Sequence, residues 1–223
     1  MTPSQPSTLY TYKFVRRSLP TDARSVLEIG CGAGALAALL QNDGLRVKAI
    51  DSDPLAVEQA RLAGVAAEVC DWPSAIDEQF DAVLFTRSIH HIHDLIGAVT
   101  EARRTLTPGG HVIIEDFRAE GGSERSRGWF TRLAQTLDDE GALAEEVELD
   151  LAENHDLHSS DAIARALSAF ATVEREDAAY YFRYLERHLR RPAAAAALLD
   201  RELALIESGK IDALGKRFVA FDA

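Results

Sequence analysis

Gly30, Gly32 and Gly34 alternate with Cys31 and Ala33 directly behind the run Ser25-Val26-Leu27-Glu28-Ile29. Glycines at this spacing accept positive φ and let a ligand approach the backbone closely, which makes a cradle for a nucleotide-containing cofactor. Asp51 stands about twenty residues further on, where a carboxylate can accept hydrogen bonds from two ribose hydroxyls. Gly30, Gly32 and Ala35 also satisfy the looser dinucleotide pattern, so the glycines alone leave two cofactor classes open. The second reactive stretch is Thr86-Arg87-Ser88-Ile89-His90-His91-Ile92-His93-Asp94. Histidine titrates near neutrality, so His90 or His91 could act as a general base; packing inside the loop is the competing role. The three histidines lack a fourth ligand at a recognisable spacing, so no metal site is expected.

These residues need elements that bring them together. Ser25 to Ile29, Arg46 to Ile50, Val65 to Cys70, Phe80 to Phe85 and His111 to Glu115 read as strands. Between them lie helical stretches: Ala35 to Leu40, Leu55 to Ala63 behind the Asp53-Pro54 cap, and Asp94 to Leu106. Alternation of this kind gives a parallel α/β sheet with helices on both faces. Right-handed crossovers then put every strand's carboxyl end on one edge, where ligands of open α/β sheets bind. Gly30 to Gly34, Asp51, Asp71 and Thr86 to His91 all fall on that edge. Further along, helical patterns cover Trp129 to Leu137 and Ser160 to Phe170, Ala171 to Phe182 reads as a sixth strand, and Pro192 to Ser208 as a helix. Arg217 to Phe221 is a last strand.

Val26-Leu27-Glu28-Ile29-Gly30-Cys31-Gly32-Ala33-Gly34 resembles, almost letter for letter, the first motif of the class I S-adenosylmethionine-dependent methyltransferases that act on small molecules. Phe80-Asp81-Ala82-Val83 and Leu106-Thr107-Pro108-Gly109-Gly110 are similar to other segments of that family. The likeness covers Ser25 to Glu115 well and the final strand moderately. It implies a doubly wound, mostly parallel, seven-stranded Rossmann-like sheet with Arg217 to Phe221 antiparallel near one edge. It implies S-adenosylmethionine as cofactor and S-adenosylhomocysteine as product. The cofactor-binding residues it suggests are Glu28, Gly30, Cys31, Gly32, Gly34, Asp51, Ser52, Asp71, Trp72 and Thr86. Asp51 would hold the ribose, Asp71 the adenine amino group, and the backbone N–H beside it the ring. The Ser88-to-His91 segment would face the methyl group, with His90 and His91 as candidate catalytic residues. Each has a plainer competing role: Glu28 could fix the loop, Asp71 could cap the strand end, and Trp72 could bury itself beside Pro73. Two other functions stay open, a non-methyl-transfer reaction of the same sulfonium and a non-catalytic binding or scaffold protein.

The 223 residues suit a single domain, and a 47% hydrophobic content is ample for its core. Residues 1–20 suggest an N-terminal helix that could form a lid through Tyr10, Tyr12 and Arg16. Residues 117–170 suggest a helical cap over the substrate, with Arg118, Arg125, Arg127 and Trp129 as contacts for an anionic or aromatic acceptor and His155 and His158 near the pocket. Solvated surface charge is the competing role for those arginines. The formal charge of −12 disfavours a nucleic-acid partner, since phosphate binding needs a basic face. No Asn/Asp-Pro-Pro-Tyr/Phe segment follows the fourth strand, against nucleic-acid methylation as well. No apolar run approaches the ~20 residues of a membrane span. The start lacks a signal peptide's apolar stretch, and Cys31 and Cys70 read as reduced thiols, so a cytoplasmic protein is expected.

Overall fold

The computed structural model describes residues 5–145 and 158–222. Seven strands form one sheet: β1 (Ser25–Ile29), β2 (Arg46–Asp51), β3 (Ala67–Val69), β4 (Phe80–Thr86), β5 (Leu106–Phe117), β6 (Thr172–Ala178) and β7 (Gly215–Phe221). Their spatial order is β3-β2-β1-β4-β5-β7-β6. The first five run parallel, while β7 pairs antiparallel with both β5 and β6. β7 therefore lies one strand in from the edge, in the antiparallel sense that the family resemblance implied and local spacing could not.

The helices between the strands are α1 (Pro6–Ser18), α2 (Ala35–Asn42), α3 (Pro54–Leu62), α4 (Leu95–Arg104), α5 (Glu124–Asp139), α6 (Ser160–Ala166), α7 (Tyr181–Glu186) and α8 (Ala195–Glu207). The starts of α3 to α6 follow side chains that absorb free N–H groups. Asp53 accepts from Leu55 N at 2.9 Å with Pro54 in the first turn, and Asp94 accepts from Gly97 N at 2.9 Å. Every residue of β1 is buried, as expected of a central parallel strand covered on both faces. One face packs Phe14, Leu36, Leu40, Val57 and Ala60 against the sheet, and the other packs Leu95, Val99, Ile163 and Leu167. A third cluster joins Phe130 and Leu133 of α5 to Tyr181 and Leu185 of α7 and to Leu214.

Several expected boundaries move. The third strand shrinks to Ala67–Val69, and the Pro108-Gly109-Gly110 turn is absorbed into β5, which starts at Leu106 across a register shift opposite Phe80 to Ala82. The expected sixth strand stops at Ala178, and Tyr181 and Phe182 belong to α7. The cause is a buried carboxylate from far along the chain: Glu202 accepts from Tyr180 N, Tyr181 N and Phe182 N at 2.6, 3.0 and 2.8 Å. That cap turns an apolar run with strand character into a helix start. Residues 117–170 do not behave as one layer either. α5 packs with α7, whereas α6 packs on α4 and the central core. No helix among the described residues is long and apolar enough to cross a membrane.

Glu115, fully buried on β5, ties four elements together. Arg183 Nη2 of α7 lies 2.8 Å from its Oε1, Arg217 Nε of β7 2.6 Å from its Oε2, and Thr11 Oγ1 of α1 donates to Oε1 at 2.6 Å. Burial opposes the carboxylate's charge, but the two guanidiniums outweigh it and hold Glu115 below the usual range.

Candidate functional site

At the carboxyl edge the tips of β1 to β4 enclose one cavity of about 660 Å³, within the size range of small-molecule sites. β1 delivers Glu28 and the glycine turn, β2 delivers Asp51 and Ser52, β3 leads to Asp71 and Trp72, and β4 ends in Thr86. Each lies at or within three residues of a strand's carboxyl end, so the common direction of the strands is what gathers them.

The turn is built by backbone bonds. Gly30 N and Cys31 N both donate to Ile50 O, at 2.8 and 3.0 Å, which locks the loop to β2. Gly30 has φ +73°, and a Cβ there would lie 2.3 Å from Ser88 Cβ, so both conformation and space require glycine. Asp51 accepts from Gly32 N at 2.8 Å through Oδ2 and from Asp53 N at 3.0 Å through Oδ1. The carboxylate is thereby oriented, with lone pairs left for a ligand's hydroxyls. Gly32 (φ +53°) has nothing within 4 Å of a built Cβ, leaving open space over the cradle.

Glu28 is buried, and Thr86 Oγ1 donates to its Oε1 at 3.4 Å, while Oε2 has no partner among the described residues. Burial pushes its carboxyl up to about 8, against the opposing charge of Arg87 and the Thr86 bond. An acid raised in the folded state favours folding at low pH and loses that contribution as pH rises towards its folded value. Stability of the ligand-free wild type should therefore fall between about pH 5 and 8 by up to about 1.4 kcal/mol per unit more than that of Glu28→Gln. Parallel denaturant melts of the two proteins across that range measure the difference; identical slopes would show that Glu28 is ionised throughout.

Trp72 packs edge-on to Phe85, at 6.4 Å between centroids, and its Nε1 donates to Ala98 O at 3.1 Å. The ring is thus anchored to α4 and forms part of the cavity wall. Cys31 also lines the cavity, and burial pushes its thiol up to about 12, so it offers backbone and packing rather than a thiolate. Both cysteines are free.

Two expected site residues lie elsewhere. Gly34 (φ +77°) sits at the start of α2, where a Cβ would meet Ala60 Cβ at 2.9 Å. It is a close-packing glycine between α2 and α3, outside the described cavity wall. His90 also lies outside that wall, and His91 occupies it instead. His90 Nδ1 is 2.7 Å from Asp116 Oδ1, and its backbone N donates to Asp116 Oδ2 at 3.2 Å. Asp116 is buried at the end of β5 and also accepts from Phe117 N at 2.7 Å. The His90 ring stands 4.0 Å from that of His91 and edge-on to Phe117 at 5.6 Å. Burial and the neighbouring His90 lower the His91 pKa.

The lid residues differ too. The cavity wall takes Gln5, Ser7, Thr8 and Thr11 from the start of the chain, not Tyr10, Tyr12 or Arg16. Tyr12 and Arg16 pair with Asp43, while Tyr10 packs on Phe182 under the Arg217 guanidinium. The buried face of α1 is Thr11, Phe14, Val15 and Ser18; that i, i+3, i+4, i+7 spacing was the available signal for Thr11. No described residue of 117–170 lines the cavity. Arg118 donates to Ala213 O, Arg127 to Gly122 O, Trp129 packs on Tyr181, and His158 Nε2 is 2.7 Å from Ile92 O. His155 lies outside the described residues.

Residues 27–114 match the profile of a family described as a methyltransferase domain. A ubiquinone biosynthesis O-methyltransferase of Alkalilimnicola ehrlichii is 33% identical over 102 residues, 42% of this chain and 41% of that one. An uncharacterised methyltransferase of Mycobacterium bovis is 32% identical over 132 residues, 55% of this chain and 50% of that one. The chain thus spans half or less of the length of these curated relatives. Among solved structures, phosphoethanolamine N-methyltransferase 2 of Haemonchus contortus with S-adenosyl-L-methionine superposes with a TM-score of 0.61 at 21% identity, covering 97% of this chain and 52% of that one. The N-methyltransferase NodS of Bradyrhizobium japonicum with S-adenosyl-L-homocysteine gives 0.58 at 16%, covering 99% and 89%. These likenesses show the fold. Residues 27–114 are thus similar to a methyltransferase domain, and the sheet order is that of the fold these solved methyltransferases share.

Proposed function

We propose that the protein transfers a methyl group from S-adenosylmethionine to a small-molecule acceptor and releases S-adenosylhomocysteine. The observation that carries this reading is the single cavity into which Glu28, the Gly30–Gly32 turn, Asp51, Asp71 with Trp72, and Thr86 converge from four neighbouring strand tips. The residues fit such a donor. Asp51 suits ribose hydroxyls, Asp71 and Trp72 an adenine, and the unpartnered Glu28 Oε2 an ammonium group within reach of the loop. Sequence relatives with oxygen as their named acceptor atom and the acidic charge both support free metabolites rather than nucleic acid, in the cytoplasm.

When bound, the donor supplies a methyl group on a sulfonium, a neutral leaving group on transfer. The chain's own work is then to hold the acceptor in line, exclude water and, for a hydroxyl acceptor, remove a proton. α1 closes one side of the cavity with Thr8 and Thr11. His90, oriented through Nδ1 by buried Asp116, offers Nε2 as the general base, its ring 4.0 Å from that of His91 at the cavity's edge.

Calorimetric titration with S-adenosylhomocysteine tests the donor site. We expect saturable binding that Asp51→Ala weakens by about 1–3 kcal/mol through lost hydrogen bonds. Absent heat, or binding of a nicotinamide dinucleotide in its place, would end the methyltransferase reading. Unchanged affinity in the variant would remove Asp51 from the site.

A further inference from the structure

Arg87 is the residue after β4 and has φ +62°, the left-handed region that side chains other than glycine and asparagine rarely adopt. Its backbone is held there by Arg87 N donating to Glu115 O at 2.7 Å. The side chain is exposed and lines the cavity, where it is the only lysine or arginine among the described wall residues. Its guanidinium makes no hydrogen bond or ion pair with any described residue, although the chain carries 36 acidic side chains against 24 basic ones. The other arginines near this edge, Arg183 and Arg217, are already committed to Glu115. A strained backbone that presents an unpaired, five-donor cation to a cavity is an arrangement suited to a ligand's anion.

Its position selects which ligand. Asp51 and Asp71 lie on the β2–β3 side of the cavity, whereas Arg87 lies between β4 and β5, beside His91 and the His90–Asp116 pair. Its charge is felt at Tyr180, across β5, as well as at Glu28. We infer that Arg87 is a specificity residue that binds a carboxylate or phosphate group of the methyl acceptor. This rests on the methyl-transfer reading for the word acceptor, but the anion site itself does not. A planar guanidinium grips such a group through two parallel hydrogen bonds, which a neutral amide cannot match.

The test uses the protein loaded with S-adenosylhomocysteine, titrated with benzoate, salicylate and phenyl phosphate and with the neutral counterparts benzamide and phenol. We expect at least one anion to bind saturably and about tenfold more tightly than its neutral counterpart, a preference that Arg87→Gly abolishes. Glycine suits φ +62°, so this variant should melt no lower than wild type while losing the charge. Affinity for S-adenosylhomocysteine should stay within about threefold. Failure of every anion to bind, or equal binding by Arg87→Gly, overturns the inference. If Arg87→Gly instead weakens S-adenosylhomocysteine but not methylthioadenosine, which lacks the carboxylate, the anion belongs to the donor and the acceptor assignment is overturned. If wild type fails to bind S-adenosylhomocysteine at all, the methyl-transfer reading falls, and the same titrations of the ligand-free protein still decide whether Arg87 holds an anion.

Discussion

Glu115→Ala should destabilise the protein by about 3–5 kcal/mol, among the largest single-residue effects available in this fold. The carboxylate is fully buried between Arg183 and Arg217, both themselves nearly buried, and it accepts from Thr11. Removing it leaves the Arg183 guanidinium without its carboxylate and Arg217 with only the half-exposed Glu176, in a low-dielectric interior where that costs far more than losing an exposed pair. Glu115→Gln keeps an acceptor for Thr11 and should fall between wild type and alanine. The variant also removes the anchor of α1, whose Thr8 and Thr11 line the cavity, so affinity for S-adenosylhomocysteine should fall with stability. Urea denaturation with and without that ligand measures both. A loss under about 1 kcal/mol would mean that the surroundings relax around the arginines and that the network does not hold the sheet to α1.

His90→Ala should lower kcat about 10²–10⁴-fold with little change in KM or in S-adenosylhomocysteine affinity. The acceptor for this assay is whichever small molecule gains the mass of one CH₂ in a screen. The imidazole is gripped through Nδ1 by Asp116, which is itself fixed by Phe117 N and His90 N. Such a carboxylate holds the ring's orientation and tautomer and stabilises the imidazolium formed when Nε2 takes a proton. Asp116→Asn should therefore lower kcat in the same direction while leaving donor binding intact, which separates a positioning effect from a general loss of fold. His91→Ala, which alters the cavity wall, should act more on KM. If His90→Ala and Asp116→Asn both stay within about threefold of wild-type kcat, the acceptor needs no base and the pair is structural.

The parallel half of the sheet was legible because each of its strands is a short apolar run that stops at a polar or glycine residue. Strand ends are chemically marked in this architecture, so the sequence by itself places Gly30, Gly32, Asp51, Asp71 and Thr86 on one edge, with Glu28 added by the family resemblance. Local rules failed where a distant group supplied the deciding interaction. Glu202 turned Tyr181 and Phe182 from strand to helix, and no window around residue 180 contains it. Gly34 looks like its neighbours in the motif, yet its need for glycine comes from Ala60 on another helix. His90 and His91 are adjacent and alike in sequence; only the end of β5, with Asp116, distinguishes the oriented ring from the cavity wall. Composition and periodicity determined the elements and the edge at which they act, because burial pattern and chain reversal are properties of nearby residues. The tertiary structure decided caps, pairings and the partners of buried charge, because those are satisfied by whichever group the folded chain brings within hydrogen-bond reach.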